Sequence, residues 1–393
     1  MRLLIVAECE HFKHQEVTLA PGHFRREMDL WSRMFDRVEI ITSFPVGEAP
    51  AGLEEYESTN IDFLIGNGAF SSSVWDKLLS VGRSLITALR IGRSLARCDV
   101  VHIRCPSRNG LLALLAGRIW RRPQYVKWAG EWPVSATAPW SWRRQAAILL
   151  RLERQAVVTV YSRRETDPRW IHETETTSLT EAQIREVTED GLDSRSDRDQ
   201  TLLWVGRLSR NKKVPELIRS LDRVFEVFPD SSLEVVGDGP DRSAAESEAR
   251  RLGLGEKVHL RGNLDWQDLR QLYSRARLLL LPSGTEGFPK VVHEAALFGT
   301  PAVVFAVGAL PRIVKDRGVA VEPPGDFEAF GQAVCDLLAD RELQKRLSES
   351  AAEWAAGLSL ERVVDRYRAL CEEAWNVNLA PLVDPKSRRD PSE

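Results

Sequence analysis

Short apolar segments of five or six residues alternate with longer amphipathic stretches along most of this chain, and the alternation runs twice. A parallel strand is buried on both faces and needs a long crossover before its neighbour, so this grammar points to parallel sheets covered by helices. In the first half, LLIVA (3–7) predicts a strand, 24–36 a helix and 38–42 a strand. Strands follow at 99–103 and 125–129, then a helix at 146–155 and a strand at 157–162. The second half restarts at 201–206 and continues with strands at 233–237, 258–262, 278–282 and 301–305. Helices at 214–228, 241–252, 265–275 and 289–298 separate them. The expected fold class is α/β: two Rossmann-like, doubly wound domains facing across a cleft, with ligands beyond the carboxyl ends of the strands.

At 393 residues the chain has room for two or three domains, taking about 150 residues each. The expected division is 1–190, a charged linker at 191–200, and 201–359, with a tail at 376–393 that has little to pack. Hydrophobic residues at 43% and charged residues at 28% exclude wholesale disorder. No apolar run approaches the ~18 residues of a membrane span, and the start reads as a buried strand, not a secretion signal. Cys9, Cys98, Cys105, Cys335 and Cys371 are scattered and have no CxxC spacing, so reduced thiols in the cytoplasm are expected. The net charge of −3 hides an asymmetry: residues 77–169 carry 18 Lys or Arg against 5 Asp or Glu. An anionic partner for the first half follows. Part of that charge lies in GRIWRR (117–122) and in WSWRRQAAILLRL (140–152), where paired Trp, basic residues and an apolar stripe coincide. The second segment is either a core helix with solvated arginines or a peripheral contact with an anionic membrane, at its inner face.

The chemistry concentrates in the second half. LPSGTEGFPKVVHEAALFGTP (281–301) ends a strand, turns on glycines and opens a helix near Pro289. The free amides and positive end of such a helix form an anion seat. Glu286 precedes the helix and Glu294 lies inside it, at most about 12 Å apart along an axis rising ~1.5 Å per residue. Two carboxylates flanking an anion seat suit a ligand with hydroxyls at both ends and phosphate in the middle. WVGRLSRNKK (204–213) is another strand followed by a loop, and Arg207 and Lys212 are placed to stabilise a leaving diphosphate. In VVGDGP (235–240), and in RGN (261–263), glycines at strand ends let backbone approach a base or ribose.

Taken together in this order, VGRL…K, GDGP, LPSGTEGFP and the Glu286/Glu294 pair resemble the nucleotide-binding half of family 4 retaining glycosyltransferases, which have the GT-B fold. The resemblance is close over residues 201–320. It implies that Arg207 and Lys212 bind the donor diphosphate, that Glu286 holds sugar hydroxyls and that Glu294 holds the ribose. Gly287, Phe288, Pro289 and Lys290 would contact sugar or phosphate, and Gly237, Arg261 and Gly262 would line the nucleotide. Gly22, in APGHF (20–24), would touch the diphosphate from the first domain, and a helix at 360–375 would pack back on that domain. Two positions depart from the family pattern. Lys213 replaces a glycine, and Arg312, in GALPR (308–312), replaces a glutamate.

The acceptor side is less explicit. A histidine of the family is absent from KWAGEWP (127–133), where Lys127 or Glu131 stands. If the donor phosphate itself serves as base in a front-face attack, no side-chain base is needed. Cys9, His11 and His14 could contact acceptor; as a metal cluster they lack a fourth ligand. The DxD pattern at Asp197 and Asp199 sits in the charged linker, and cations can replace a metal, so neither metal nor cofactor is expected. The function implied is transfer of a sugar from a nucleotide-diphosphate sugar to a glycan, lipid-linked saccharide or small hydroxylated acceptor, with no nucleic-acid partner. Alternatives are a nucleotide-sugar epimerase, a phosphorylase, or a binding protein that has lost turnover.

Overall fold

Runs such as LLLL (278–281) and LIV (4–6) offer no polar alternation, and such segments are stable only where a sheet is covered on both faces. The computed structural model describes residues 1–15, 17–45, 52–66, 74–152, 155–189 and 200–382. These residues form two units: Met1–Glu175 with the C-terminal segment from Leu360, and Thr176–Ser359. The first boundary thus falls before residue 190, because the segment after Thr176 joins the second unit. Most of the charged linker (190–199) and the end of the tail (383–393) lie outside the described residues.

In the first unit the order is β1 (Arg2–Glu10), β2 (Phe12–His14), β3 (Val17–Pro21), α1 (Gly22–Ser32), β4 (Arg37–Ser43), β5 (Leu53–Glu55) and β6 (Ile61–Ile65). Then come α2 (Val74–Arg97), β7 (Val100–Cys105), α3 (Arg108–Trp120), β8 (Gln124–Trp128), α4 (Trp140–Leu149), β9 (Ala156–Val160) and β10 (Ile171–Glu173). Seven strands make one parallel sheet in the order β10-β9-β8-β7-β1-β4-β6. A small antiparallel sheet, β2-β3-β5, is added beside it.

The second unit runs α5 (Glu181–Glu189), β11 (Thr201–Val205), α6 (Val214–Ser220), α7 (Asp222–Val227), β12 (Ser232–Val236), α8 (Arg242–Arg251), β13 (Val258–Gly262) and α9 (Trp266–Arg275). It continues with β14 (Ala276–Leu281), α10 (Lys290–Leu297), β15 (Ala302–Phe305), α11 (Leu310–Val314), β16 (Gly318–Val321), α12 (Phe327–Ala339) and α13 (Arg341–Ala356). The sheet is parallel throughout, ordered β13-β12-β11-β14-β15-β16. Strand order therefore reverses between β11 and β14, the switch point beside which an open α/β sheet leaves a crevice at its carboxyl ends. The helix expected over 214–228 is two helices that meet at Leu221.

The last helix, α14 (Leu360–Trp375), returns to the first unit. Its apolar stripe of Val363, Val364, Tyr367 and Cys371 recurs at three- and four-residue intervals and is buried. The Tyr367 ring lies 5.3 Å from that of Tyr125, its hydroxyl donates to the Glu175 carbonyl at 3.3 Å, and Trp375 Nε1 donates to the Gln155 carbonyl at 3.0 Å. Replacing Tyr367 by Ala removes a fully buried ring, so a loss of about 3–5 kcal/mol is expected, read as a lower urea midpoint of the first unit. An unchanged midpoint would mean that α14 contributes no core.

Candidate functional site

β11 and β14, the strands flanking the switch point, end in the two loops richest in functional side chains. After β11 the chain passes Gly206 and Arg207 and forms a single 3-10 turn, Arg210–Lys212. It leaves that turn through Lys213, whose φ of 57° is left-handed. A glycine at this position costs nothing in that conformation, and here lysine takes it. After β14, Pro282–Pro289 leads into α10.

Asn211 joins the two loops. Its Nδ2 donates to the Thr285 carbonyl at 2.9 Å, and its Oδ1 accepts from the Thr285 amide at 3.0 Å and the Thr285 hydroxyl at 3.2 Å. The Gly284 amide donates to the Asn211 carbonyl at 2.8 Å. Beside this stitch Lys212 Nζ forms an ion pair with Glu286 Oε1, and both side chains are largely shielded. Arg207 is exposed and enters no ion pair among the described residues. Asn211 carries no signal by residue type; what marks it is its position beside Lys212.

α10 begins one residue later than expected, with Pro289 as N-cap (φ −75°) and Lys290 as first helical residue. Pro289 offers no side-chain cap, so the first amides of the helix are left to other acceptors. Gly287 and Phe288 are buried, and Phe288 packs 6.4 Å from the Trp354 ring, a place in the core that leaves ligand contact in this stretch to backbone. Lys290 is half-buried. On the same helix Glu294 is held from two sides: Tyr273 of α9 donates its hydroxyl to Oε2 at 2.8 Å, and Ser178 donates to Oε1. Next to it, the buried His293 ring pairs Nδ1 with the Thr177 hydroxyl at 2.9 Å. Thus Thr177 and Ser178 fasten their segment to α10, although that segment carries no motif.

Gly237 (φ 121°) sits where a Cβ would lie 1.8 Å from the Gly206 carbonyl oxygen, so no other residue fits. Its amide donates to the Gly262 carbonyl at 2.7 Å, which ties three strand ends together. Arg261, expected to touch nucleotide, instead makes a bidentate pair with Glu234 at 2.6 and 2.9 Å. Arg312 is exposed on α11.

In the first unit the expectations for acceptor contact are partly corrected. His11 is fully buried: Nε2 pairs with the Tyr56 hydroxyl at 2.7 Å, and Nδ1 lies 3.1 Å from the Cys9 carbonyl. Phe24, Phe44 and Phe63 surround the ring. It is a satisfied core histidine and offers no nitrogen to substrate or metal. Lys127 is 1% exposed and donates to Glu27 Oε1 at 2.8 Å, while Arg104 Nη1 lies 3.0 Å from Oε2 of the same carboxylate. A buried lysine needs such a partner, and this one is committed to Glu27. His14 is exposed and Glu131 half-buried, its carboxyl pushed above the usual range by burial. Gly22 opens α1 against Glu54: a Cβ there would meet Glu54 Oε1 at 2.2 Å. That carboxylate is gripped by Arg25 at 2.5 Å and Arg26 at 2.6 Å. In α4, Ala146, Ile148 and Leu149 are buried while Trp140, Arg143 and Arg144 are exposed, the pattern of a core helix.

Residues 192–354 match the family of glycosyl transferases group 1. Among curated proteins, an exopolysaccharide phosphotransferase of Streptomyces coelicolor is 29% identical over 196 residues, which is 49% of this chain and 21% of that protein. An uncharacterized glycosyltransferase of Methanocaldococcus jannaschii is 35% identical over 138 residues, 34% of this chain and 35% of its own. The chain thus spans about a fifth to a third of the length of these relatives. Sucrose-phosphate synthase from Thermosynechococcus elongatus superposes with a TM-score of 0.70 at 19% identity, covering 96% of this chain and 100% of the other. HepE of Anabaena, solved with UDP, gives 0.65 at 15% identity, over 95% and 100%. The fold is GT-B, with two Rossmann-like domains.

Burial holds the His11 imidazole at a pKa of about 4, against 6.5 when free, with the Cys9 carbonyl only partly offsetting the effect. His102, also in the first unit, is shifted the same way by burial. The unfolded chain takes up protons first, so the contribution of His11 to stability is complete above pH 6.5 and falls as pH drops toward 4, by up to about 1.4 kcal/mol per pH unit. An NMR titration of the imidazole resonances should find His11 half-protonated near pH 4; a midpoint near 6.5 would contradict its burial.

Proposed function

We propose that this protein is a retaining glycosyltransferase that moves a hexose-type sugar from a nucleoside-diphosphate donor to a hydroxyl of a glycan, lipid-linked saccharide or small acceptor. The observation that carries the proposal is the Lys212–Glu286 pair, fixed by Asn211 at the carboxyl ends of β11 and β14 beside the tip of α10. The UDP complex of HepE supports a nucleoside diphosphate as the leaving group.

As the bond from sugar C1 to the diphosphate breaks, charge builds on the leaving oxygens. Lys212 and the amides at the tip of α10 are preorganised to receive it, with Arg207 on the same loop as a further cation, and preorganised charge needs no costly rearrangement during reaction. Glu286 accepts hydrogen bonds from donor-sugar hydroxyls and Glu294 from the ribose. The acceptor hydroxyl adds to C1 on the face the diphosphate leaves, and its proton passes to a diphosphate oxygen, so configuration is kept without a side-chain base. Lys127, fixed on Glu27, supports the omission of such a base. With these cations in place the reaction proceeds without a metal or other cofactor. We place it in the cytoplasm, which the scattered cysteines, without CxxC spacing, support, and in the assembly of cell-surface polysaccharide or glycoconjugate, which the S. coelicolor relative supports.

Pure protein incubated with UDP-, GDP- and ADP-sugars should release nucleotide from one donor class, equally with and without chelator. Lys212→Ala should lower turnover about 10²–10³-fold, and Glu286→Ala should act mainly on turnover. Glu294→Ala should weaken nucleotide binding by about tenfold. Donor binding without release for every acceptor tried would favour a non-catalytic binding protein, and chelator-sensitive release would overturn metal independence.

A further inference from the structure

Large aliphatic side chains are exposed at few places in the described residues, and most of those places adjoin one another. Six of the nine exposed large hydrophobics are Ile65, at the end of β6, Leu85, Ile86 and Leu89 on α2, and Leu115 and Ile119 on α3, each between 43% and 74% exposed. On α2 the exposed positions 85, 86, 89, 93, 96 and 97 recur every three or four residues and form a single outward face. Its first half is aliphatic, and its second half carries Arg93 and Arg97. On α3, Leu115 and Ile119 lie one turn apart. The helices touch where a Cβ on Gly92 would lie 3.2 Å from the Trp120 ring. Arg122 then donates to the carbonyls of Leu95 and Ala96, both at 3.2 Å, so the two outward faces are continuous.

The charge on this surface is positive apart from the start of α3, where Arg108 is paired with Glu8. Residues 83–97 and 108–122 hold eight arginines and no Asp or Glu. Arg93, Arg97 and Arg121 enter no ion pair among the described residues. Aliphatic knobs beside unpaired arginines match the interface of an anionic bilayer, where side chains enter the headgroup layer and cations meet lipid phosphates. A second copy of the chain would set arginine against arginine. A nucleic acid would meet the guanidinium groups but leave Leu85, Leu89 and Ile119 without apolar cover.

We propose that the outward face of α2 and α3 docks the first unit onto an anionic lipid bilayer. This deepens the proposed transferase by placing its acceptor at a lipid surface, yet the docking is read without turnover. The expected face is on α2 and α3, not on α4, whose apolar stripe is already used inside the core.

The full chain should co-sediment with vesicles of phosphatidylcholine and phosphatidylglycerol at low salt, and should leave them at high salt or when phosphatidylglycerol is omitted. Arg93→Ser with Arg97→Ser, and separately Leu85→Ser with Leu89→Ser, should each reduce the bound fraction about tenfold or more, with unchanged melting and unchanged nucleotide release on a soluble acceptor. Arg143→Ser with Arg144→Ser should bind like the parent. No binding by the parent, equal binding by the α2 variants, loss confined to the α4 variant, or self-association in sedimentation velocity that the α2 variants abolish would each overturn the docking face. Persistence of nucleotide release in any of these cases would leave the transferase intact. Binding without release would do the opposite.

Discussion

The geometry of the candidate site depends on one side chain, the carboxamide of Asn211. Its donor and acceptor both close on Thr285, so it fixes the distance between the loop after β11 and the loop after β14. Lys212 follows Asn211 and Glu286 follows Thr285, so the ion pair between them is set by the same stitch. A cation on a four-carbon stem and a loop carboxylate would otherwise sample many arrangements, at an entropic cost on ligand binding. Holding both before a donor arrives is how a site stabilises charge that appears only during reaction.

Glu294 shows the same logic with different partners. Tyr273 and Ser178 orient its two oxygens from α9 and from the segment after Thr176. That segment belongs to the second unit by its packing, although the charged residues after it look more like a boundary. In the first unit the buried Glu27 meets Lys127 and Arg104, and the half-buried Glu54 meets Arg25 and Arg26. Removing Glu27 would leave the buried Lys127 without its carboxylate, so this contact fixes the position of α1 against the sheet.

Much of the second unit was legible from its residues, because β11, β14 and β15 each contain a run of four apolar residues and the loops after β11, β12 and β14 begin with glycine or proline. The motif loops at the strand ends that carry Lys212 and Glu286 could be placed in advance, and the family resemblance implied the return of α14. The first unit was harder to read. α2 carries Gly82 and Gly92 and mixes arginine with leucine, so its helical period is blurred, and its exposed aliphatic face breaks the rule that apolar residues mark the core. β2, β3 and β5 are three to five residues long, too short to show alternation. His11 and Lys127 misled for a shared reason: polar residues near strand ends suggest a ligand, and only tertiary structure shows that Tyr56 and Glu27 already satisfy them. Ser178 and Asn211 carry no signal by type, since their importance lies in what they reach.

Hydrogen exchange with and without UDP, GDP or ADP tests the central claim most directly. If the stitched loops are the diphosphate seat, amides in 206–213 and at the start of α10 should slow on addition of one nucleotide, and Asn211→Ala should abolish that protection while the rest of the second unit exchanges as before. Protection confined to other strand ends, with these two loops unaffected by a nucleotide that binds, would contradict the account.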